Sequence, residues 1–194
     1  MKTLIDNART FPSRVAQQPH EFRRLAAGQA PEALFITCSD SRVIPSLITG
    51  ARPGELFELR TAGNVVPRYD EARPSAETAT VEYALRVLGV RDIVVCGHSH
   101  CGAVGALVRG DDLSALPAVR GWLEHSVPEP PDTTDLARAV RRHAVAQLET
   151  LRGYPSVREF LDLGRLTLHA WYYEVDTGVV SAHRPETDGE FRPL

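Results

Sequence analysis

The chain has 194 residues, with 22 lysine and arginine residues against 25 aspartate and glutamate residues, so its formal net charge at pH 7 is −3. This length favours a single domain with a sizeable core, and this charge gives no electrostatic reason to expect nucleic acid or an anionic membrane surface as a partner. No apolar run reaches the roughly 18 residues of a membrane helix, and residues 1–6 lack the long apolar segment of a signal peptide.

Apolar segments of two kinds alternate along the chain: some have a helical period, and others are short and continuous. In chain order they predict a helix at 13–28, strands at 33–37 and 56–60, a helix at 75–88, a strand at 93–96, helices at 101–108, 135–151 and 156–161, and strands at 166–173 and 179–183. Strands that alternate with helices predict an α/β fold, here a mainly parallel four-stranded sheet flanked by helices. The sequence Asp176-Thr177-Gly178, between the last two strands, predicts a hairpin that adds a C-terminal antiparallel strand.

Local signals place some boundaries of these elements. Ser75 is predicted to cap the N-terminus of the helix at 75–88, and Gly89 to end it. The proline-rich residues 127–132 predict a surface loop between helices. No domain boundary is evident, so residues 1–194 are predicted to form one domain with an N-terminal helical arm at residues 1–28.

Two short motifs carry the chemistry, and each follows a predicted buried strand. The first is Cys38-Ser39-Asp40-Ser41-Arg42, and the second is His98-Ser99-His100-Cys101-Gly102. Because ligands bind beyond the carboxyl ends of parallel strands, these motifs are expected to meet in space. Two thiols and an imidazole supply three of the four ligands of tetrahedral zinc and leave one position open for water, which is the catalytic arrangement. Three cysteines do not make a disulfide framework in a chain of this length, so a reducing cytoplasm and metal ligation are the better interpretation.

The local conformation decides which side chains face the metal. If residues 38–42 stay extended, Cys38, Asp40 and Arg42 project to the same side. If residues 98–101 enter a helical turn, His98 and Cys101 become neighbours, which favours His98 over His100 as the ligand. His100 is then a solvated loop histidine, with proton shuttling as the alternative role.

The pair Asp40 and Arg42 has two interpretations, whereas the remaining cysteine of the chain has one. Asp40 and Arg42 are either a plain surface ion pair or a functional one, in which the guanidinium keeps Asp40 ionised and orients it. Cys96 lies within a predicted buried strand, so we expect it to belong to the core.

At these residues the sequence resembles the β-class carbonic anhydrases. The two motifs are similar to that family's first signature and to its His-x-x-Cys second signature. The resemblance extends from about Gly28 to Val108 and is weaker toward the C-terminus. It includes further short matches: Pro53-Gly54-Glu55, Phe57, Arg60, Gly63-Asn64 and Glu82-Tyr83-Ala84.

The resemblance implies an activity and a cofactor. It implies one zinc ion per chain on Cys38, His98 and Cys101, with Asp40 and Arg42 beside the zinc-bound water that hydrates CO2 to bicarbonate and a proton. It also implies a homodimer or a higher homo-oligomer, in which part of the CO2 pocket comes from the neighbouring subunit. The residues that it implies on the substrate side are Gln29, Val43, Phe57, Tyr83 and Gly102.

Two departures from the family pattern matter. Phe35-Ile36-Thr37 stands where the bicarbonate-regulated bacterial subgroup carries a tryptophan, so the resemblance is closer to the plant-type subgroup. Ala62 and Gly63 replace larger residues and predict a slightly roomier pocket, which keeps hydrolysis of carbonyl sulfide or carbon disulfide on the same zinc site as an alternative. A non-enzymatic zinc-binding module is the second alternative, although structural zinc usually has four protein ligands.

Overall fold

A computed structural model describes residues 1–127 and 133–194, apart from the side chain of His125. The loop predicted at 127–132 therefore lies outside the described residues, except for Val127. The described chain forms two compact units, Met1–Ala30 and Pro31–Leu194. Within these residues, no helix is both long enough and apolar enough to cross a lipid bilayer.

The N-terminal unit consists of two helices, so the prediction of one helix at 13–28 is wrong. Helix α1 covers Lys2–Val15, and helix α2 covers Pro19–Ala26. The chain breaks between them because Pro19 has no N–H to continue the first helix, whereas its fixed φ suits the first position of a new one. Neither helix has a buried residue, and Phe11 packs edge-on against Phe22 with 5.8 Å between the ring centroids.

The second unit is built on a six-stranded sheet in the order β2-β1-β3-β4-β5-β6. Strands β1 to β4 are parallel, whereas β5 and β6 add to the edge in antiparallel orientation. This confirms the predicted α/β fold with four parallel strands and a C-terminal antiparallel addition; β6 was not predicted. The strands are β1 Ala33–Cys38, β2 Leu56–Thr61, β3 Asp92–His98, β4 Thr167–Tyr173, β5 Val180–His183 and β6 Phe191–Pro193.

Six α-helices among the described residues of this unit connect or flank the strands. Ser75 caps α4 as predicted, by accepting a hydrogen bond from the N–H of Thr78. Two helices without a predicted counterpart, α3 and α6, both begin with proline. The helices are α3 Pro45–Thr49, α4 Ala76–Arg86, α5 Gly102–Arg109, α6 Pro117–Ser126, α7 Leu136–Arg152 and α8 Pro155–Asp162.

Both faces of the central strands are buried, which explains why β1 and β3 are nearly continuous apolar runs. On one face, Leu34 and Ile36 join the main core with residues of α4, α7 and α8. On the other face, Phe35 packs with Cys96 and edge-on against Trp171. Cys96 is thus a core residue, as predicted, and burial raises the pKa of its thiol to about 12.

Parallel pairing brings the carboxyl ends of β1 and β3 side by side. Thr37 lies opposite Cys96 in the register, so Cys38 and His98, each the last residue of its strand, end at the same edge of the sheet. The two sequence motifs begin at this edge.

Candidate metal centre

Three potential metal-donor side chains converge at the carboxyl ends of β1 and β3. One donor atom each from Cys38, His98 and Cys101 lies within 4.8 Å of the other two, and all three residues are buried. In the described part of the chain, no other group of three such side chains is arranged to hold a metal ion. The structure thus places His98, and not His100, among the donor atoms.

The hydrogen bonding of His98 fits a metal ligand. Its Nδ1 lies 2.8 Å from the carbonyl oxygen of Ser99, which can only accept, so Nδ1 carries the proton. This leaves a lone pair on Nε2, which is buried without a hydrogen-bond partner. A buried nitrogen without a partner is costly, and a metal ion between the two sulfurs would satisfy it.

The chain reaches Cys101 by a tight turn, so the condition of a helical turn over residues 98–101 is not met, although His98 and Cys101 still come together. Strand β3 ends at His98, and His100 adopts a left-handed conformation with a φ of 58°. The turn is anchored to β4 because Ser99 donates its N–H to the carbonyl of Tyr173 at 2.9 Å. Cys101 then serves as the N-cap residue of α5. The strand end and the helix start hold the two ligands together.

The first motif also turns, so the condition that residues 38–42 stay extended is not met. Val43 donates its N–H to the carbonyl of Asp40 at 3.1 Å, and Arg42 donates its N–H to Oδ1 of Asp40 at 2.9 Å. The guanidinium of Arg60 fixes this turn by donating to the carbonyls of Cys38, Asp40 and Val43, each at 2.8 Å from Nη2. The aspartate in this turn aims its carboxylate toward the donor atoms, since its Oδ2 lies 4.0 Å from Nε2 of His98.

Asp40 and Arg42 form a two-point ion pair. Nε of Arg42 lies 2.9 Å from Oδ1, and Nη2 lies 2.7 Å from Oδ2. These hydrogen bonds hold the pKa of the Asp40 carboxyl well below its usual range. Nη2 also donates to the carbonyl of His100 at 3.3 Å, so Arg42 links the two motifs.

The two neighbouring thiols shift each other's pKa in opposite directions. Cys101 lowers the pKa of Cys38, whereas Cys38 together with burial raises the pKa of Cys101. The N–H of Gly63 donates a hydrogen bond of 3.4 Å to Sγ of Cys38, which also favours its thiolate form. A thiol with a lowered pKa ionises readily, and thiolates favour soft divalent metals.

Comparison with known proteins gives the family. A sequence profile described as carbonic anhydrase matches residues 33–180. The carbonic anhydrase of Pseudomonas aeruginosa is 49% identical over 170 residues, which cover 83% of this chain and 77% of that protein. Carbonic anhydrase 1 of Escherichia coli O157:H7 is 42% identical over 100% of this chain and 92% of that protein.

Solved structures agree with the sequence comparison. The β-carbonic anhydrase CcaA superimposes with a TM-score of 0.90 at 37% identity, over 100% of this chain and 99% of that one. This chain belongs to the β-class carbonic anhydrases. A tetrameric β-carbonic anhydrase of Sordaria macrospora also matches, with a TM-score of 0.73 at 30% identity over 93% of this chain and 94% of that one. The cofactor is therefore zinc, for which the Cys-His-Cys donor set is suited.

Within the carbonic anhydrase fold, the loop that follows β2 supports the metal site. Three of its backbone groups are held by side chains from distant helices. The carbonyl of Ala62 accepts from Nε1 of Trp122 at 3.0 Å, and the carbonyl of Gly63 lies 2.9 Å from Nε2 of His143. The N–H of Val66 donates to Oε1 of Gln147 at 2.8 Å. Sequence reasoning missed these supports, since no local signal links a loop to side chains about 60 to 80 residues away.

Gly63 does not enlarge the pocket in the way the sequence suggested. Its φ is +74°, and a Cβ added there would lie 2.9 Å from Cβ of Ala103. The volume that a side chain would occupy is thus already filled by α5. The close approach lets the N–H of Gly63 reach the sulfur of Cys38.

The other predicted residues of this carbonic anhydrase lie at different distances from the donors. Val43 is fully buried directly after the Asp40 turn, and Gly102 is the first residue of α5, next to Cys101. Phe57 and Tyr83 face each other with 6.0 Å between ring centroids. Phe57 lies opposite Leu34 in the register, near the amino end of β1, so neither ring approaches the donors of its own chain. Gln29 is exposed in the N-terminal unit.

His100 lies outside the donor cluster and has a partner of its own. Its side chain is exposed, and Nε2 lies 2.7 Å from Oδ2 of Asp176 in the β4–β5 hairpin. It is therefore not simply a solvated loop histidine, because a carboxylate holds its ring.

Proposed function

We propose that this chain catalyses the reversible hydration of CO2 to bicarbonate and a proton, with zinc held by Cys38, His98 and Cys101. The single observation that supports this most strongly is the unpartnered Nε2 of His98, buried between two thiols and beside an ionised carboxylate. Three protein donors leave a fourth zinc position open for a reactant.

Bound zinc supplies a Lewis acid that makes water nucleophilic near neutral pH. With zinc held there, Oδ2 of Asp40 would accept a hydrogen bond from the attacking water and orient it toward the carbon of CO2, and the proton that is released would pass to buffer. Arg42 keeps Asp40 ionised and holds both carboxylate oxygens, which would keep the carboxylate from turning onto a bound zinc ion. The carboxylate lies close to the metal site, since Oδ2 is 4.0 Å from Nε2 of His98.

In this proposal Val43, Phe57, Tyr83 and Gly102 form the substrate side, and Gln29 keeps the substrate role that the resemblance implies. Val43 provides a buried apolar wall for a neutral substrate. Gly102 lies at the start of α5, where helix N–H groups lack partners within the helix and can bind bicarbonate oxygens. Phe57 and Tyr83 lie away from the donors of their own chain, so in this proposal they act on the site of a neighbouring copy.

The active enzyme is proposed to be a homodimer or a higher homo-oligomer. Helix α1 exposes several apolar side chains, including Leu4 and Phe11, and the related enzymes of Sordaria macrospora are tetrameric. Large exposed apolar side chains on one helix favour association. Analytical ultracentrifugation at assay concentration tests this, and a fully active monomer would contradict it.

We place the enzyme in the cytoplasm, acting on a small molecule without nucleic acid or membrane as a partner. The three cysteines are free and buried in the described structure, which suits a reducing compartment. Fractionation of the native host with an antibody to the chain tests this placement.

Stopped-flow measurement of CO2 hydration by zinc-replete protein tests the activity. We expect rapid hydration that depends on zinc and is lost after chelation. Carbonyl sulfide and carbon disulfide are assayed beside CO2 on the same preparation. Faster turnover of either sulfur compound than of CO2 would assign the site to the alternative hydrolase, and no turnover of any of the three by zinc-loaded protein would leave a non-enzymatic zinc module.

A further inference from the structure

An unbroken series of two hydrogen bonds connects a surface helix to a metal-binding sulfur. Nε1 of Trp122, on α6, donates to the carbonyl of Ala62 at 3.0 Å. The N–H of the same peptide group, which belongs to Gly63, donates to Sγ of Cys38 at 3.4 Å. The peptide group between Ala62 and Gly63 therefore accepts a hydrogen bond at its carbonyl and donates one from its N–H to the ligand sulfur.

The surroundings hold this peptide group in place. Gly63 lies against Ala103 too closely for any Cβ, and its own carbonyl is fixed by Nε2 of His143 at 2.9 Å. Gly63 is therefore held between α5 and α7, which restricts rotation of the peptide group that precedes it. Trp122 thus meets a peptide group whose N–H already points at the sulfur.

A hydrogen bond to a carbonyl polarises the whole peptide group and strengthens the bond that its N–H makes. A stronger N–H bond to a thiolate withdraws electron density from the sulfur. Groups outside the ligand set tune a metal in this way. The indole N–H therefore influences the metal site through one peptide group, although Trp122 does not contact a metal ligand.

We propose that Trp122 is a positioning residue of the metal centre, which lowers the donor strength of the Cys38 thiolate through the peptide group between Ala62 and Gly63. This rests on the zinc site of the proposed function. A weaker thiolate donor leaves the metal a stronger Lewis acid, so the bond made by Trp122 favours activation of water. Sequence position gives no hint of this role, because Trp122 lies 60 residues from Ala62.

The probe is cobalt(II), which reports on the sulfur ligands through its thiolate-to-metal charge-transfer band and on geometry through its ligand-field bands. Trp122→Phe removes the indole N–H and keeps an aromatic ring. The chain's second tryptophan offers a matched control, since Trp171 packs edge-on against Phe35 on the other side of the sheet. If Trp122→Phe fails to fold, benzothienylalanine at position 122, which has sulfur in place of the indole N–H, tests the effect of losing that N–H on the charge-transfer band.

Loss of the indole N–H should leave the Cys38 sulfur richer in electrons. The charge-transfer band of the Trp122 variants should therefore move to longer wavelength, with unchanged ligand-field bands and the same cobalt stoichiometry. Trp171→Phe should leave the charge-transfer band where it is. Because removing a direct partner of a ligand typically costs about 10–100-fold, kcat/KM for CO2 in zinc-loaded Trp122→Phe should fall by less than about tenfold.

Two results would overturn the inference and leave the zinc site standing. One is an unshifted charge-transfer band in both Trp122 variants, and the other is a shift accompanied by altered ligand-field bands, which would make Trp122 a structural support only. Failure of the wild-type protein to bind cobalt or zinc would instead refute the proposed function itself. The experiment thus separates the two proposals.

Discussion

Arg42 donates a hydrogen bond to each carboxylate oxygen of Asp40, at 2.9 Å from Nε to Oδ1 and 2.7 Å from Nη2 to Oδ2. The carboxylate lies only 4.0 Å from the ligand nitrogen of His98, so its direction decides whether the open metal position stays free. Without Arg42, Asp40 can rotate onto the metal and exclude the reactant. We expect Arg42→Ala to retain zinc and to lose activity by about 10–100-fold, the usual cost of removing a group that orients a metal site.

A surface pair of the same spacing provides the control for this variant. Arg109 binds both carboxylate oxygens of Asp111 at the end of α5, with a shortest distance of 2.6 Å. Arg109→Ala removes an equivalent exposed pair away from the donors and should leave CO2 hydration unchanged. Metal analysis and stopped-flow assays of both variants are decisive. Full activity in Arg42→Ala would show that the Asp40–Arg42 pair is a surface ion pair without a role in catalysis.

Removing any one of the three donors should release zinc. Cys38→Ser, His98→Ala and Cys101→Ser each leave two protein ligands, too few to hold the ion against a chelator. Zinc content measured by mass spectrometry after dialysis should fall well below that of the wild-type protein in all three. Cys96→Ser and His100→Ala are the matched controls, because Cys96 lies in the core and His100 faces Asp176. Zinc loss from His100→Ala with full retention in His98→Ala would reverse the ligand assignment.

His143 should make the folded protein sensitive to mild acid. Burial lowers the pKa of His143, so the folded chain keeps this imidazole neutral while the unfolded chain binds a proton as the pH falls through about 6.5. The stability that His143 contributes is thus complete above pH 6.5 and is lost progressively below it. His143→Gln keeps an N–H donor for the carbonyl of Gly63 and removes the titration. Its melting temperature should therefore depend less on pH than that of the wild-type protein.

Thermal unfolding followed between about pH 5 and pH 7.5 tests the role of His143, in a range where few carboxylates titrate. Both proteins are compared after zinc has been removed with a chelator, so that zinc release does not contribute and the difference between the two curves isolates His143. His169→Gln is the control, because this histidine is partly exposed and pairs with Asp92 at 2.8 Å. Parallel curves for wild type and His143→Gln would show that His143 is not the acid-sensitive group.

The parts of the site that the sequence predicted are those encoded locally. Cys38 and His98 each end a buried strand, and parallel pairing of β1 with β3 brings such ends together whatever the loops do. The backbone path between the ligands was harder to predict. His100 adopts a positive φ that non-glycine residues seldom take, and the Asx turn at Asp40 replaces an extended segment.

Supports from distant helices could not be read from the sequence at all. Trp122 and His143 act through the carbonyls of Ala62 and Gly63, and only the packed structure brings α6 and α7 to that loop. Helix α6 itself was missed, and the break between α1 and α2 was missed because the apolar pattern runs on across Gln18-Pro19. Tertiary contacts and a single proline outweighed the local pattern in these places.

Gly63→Ala should weaken both the fold and the metal site. The left-handed φ of +74° costs an L-residue about 1–2 kcal/mol, and the new Cβ would also meet Cβ of Ala103 at 2.9 Å. Relief of that contact would pull the N–H of Gly63 away from the sulfur of Cys38.

Gly110→Ala separates the two effects, because Gly110 has a φ of +64° with nothing within 4 Å of an added Cβ. We therefore expect Gly110→Ala to lose only the backbone cost in chemical denaturation and to keep its cobalt spectrum, whereas Gly63→Ala loses more stability and shifts the thiolate charge-transfer band. Adding Ala103→Gly to Gly63→Ala removes the crowding and should restore the spectrum while the backbone cost remains. An equal loss of stability in Gly63→Ala and Gly110→Ala, with identical cobalt spectra, would show that the contact between Gly63 and Ala103 does not set the position of the N–H that faces the ligand.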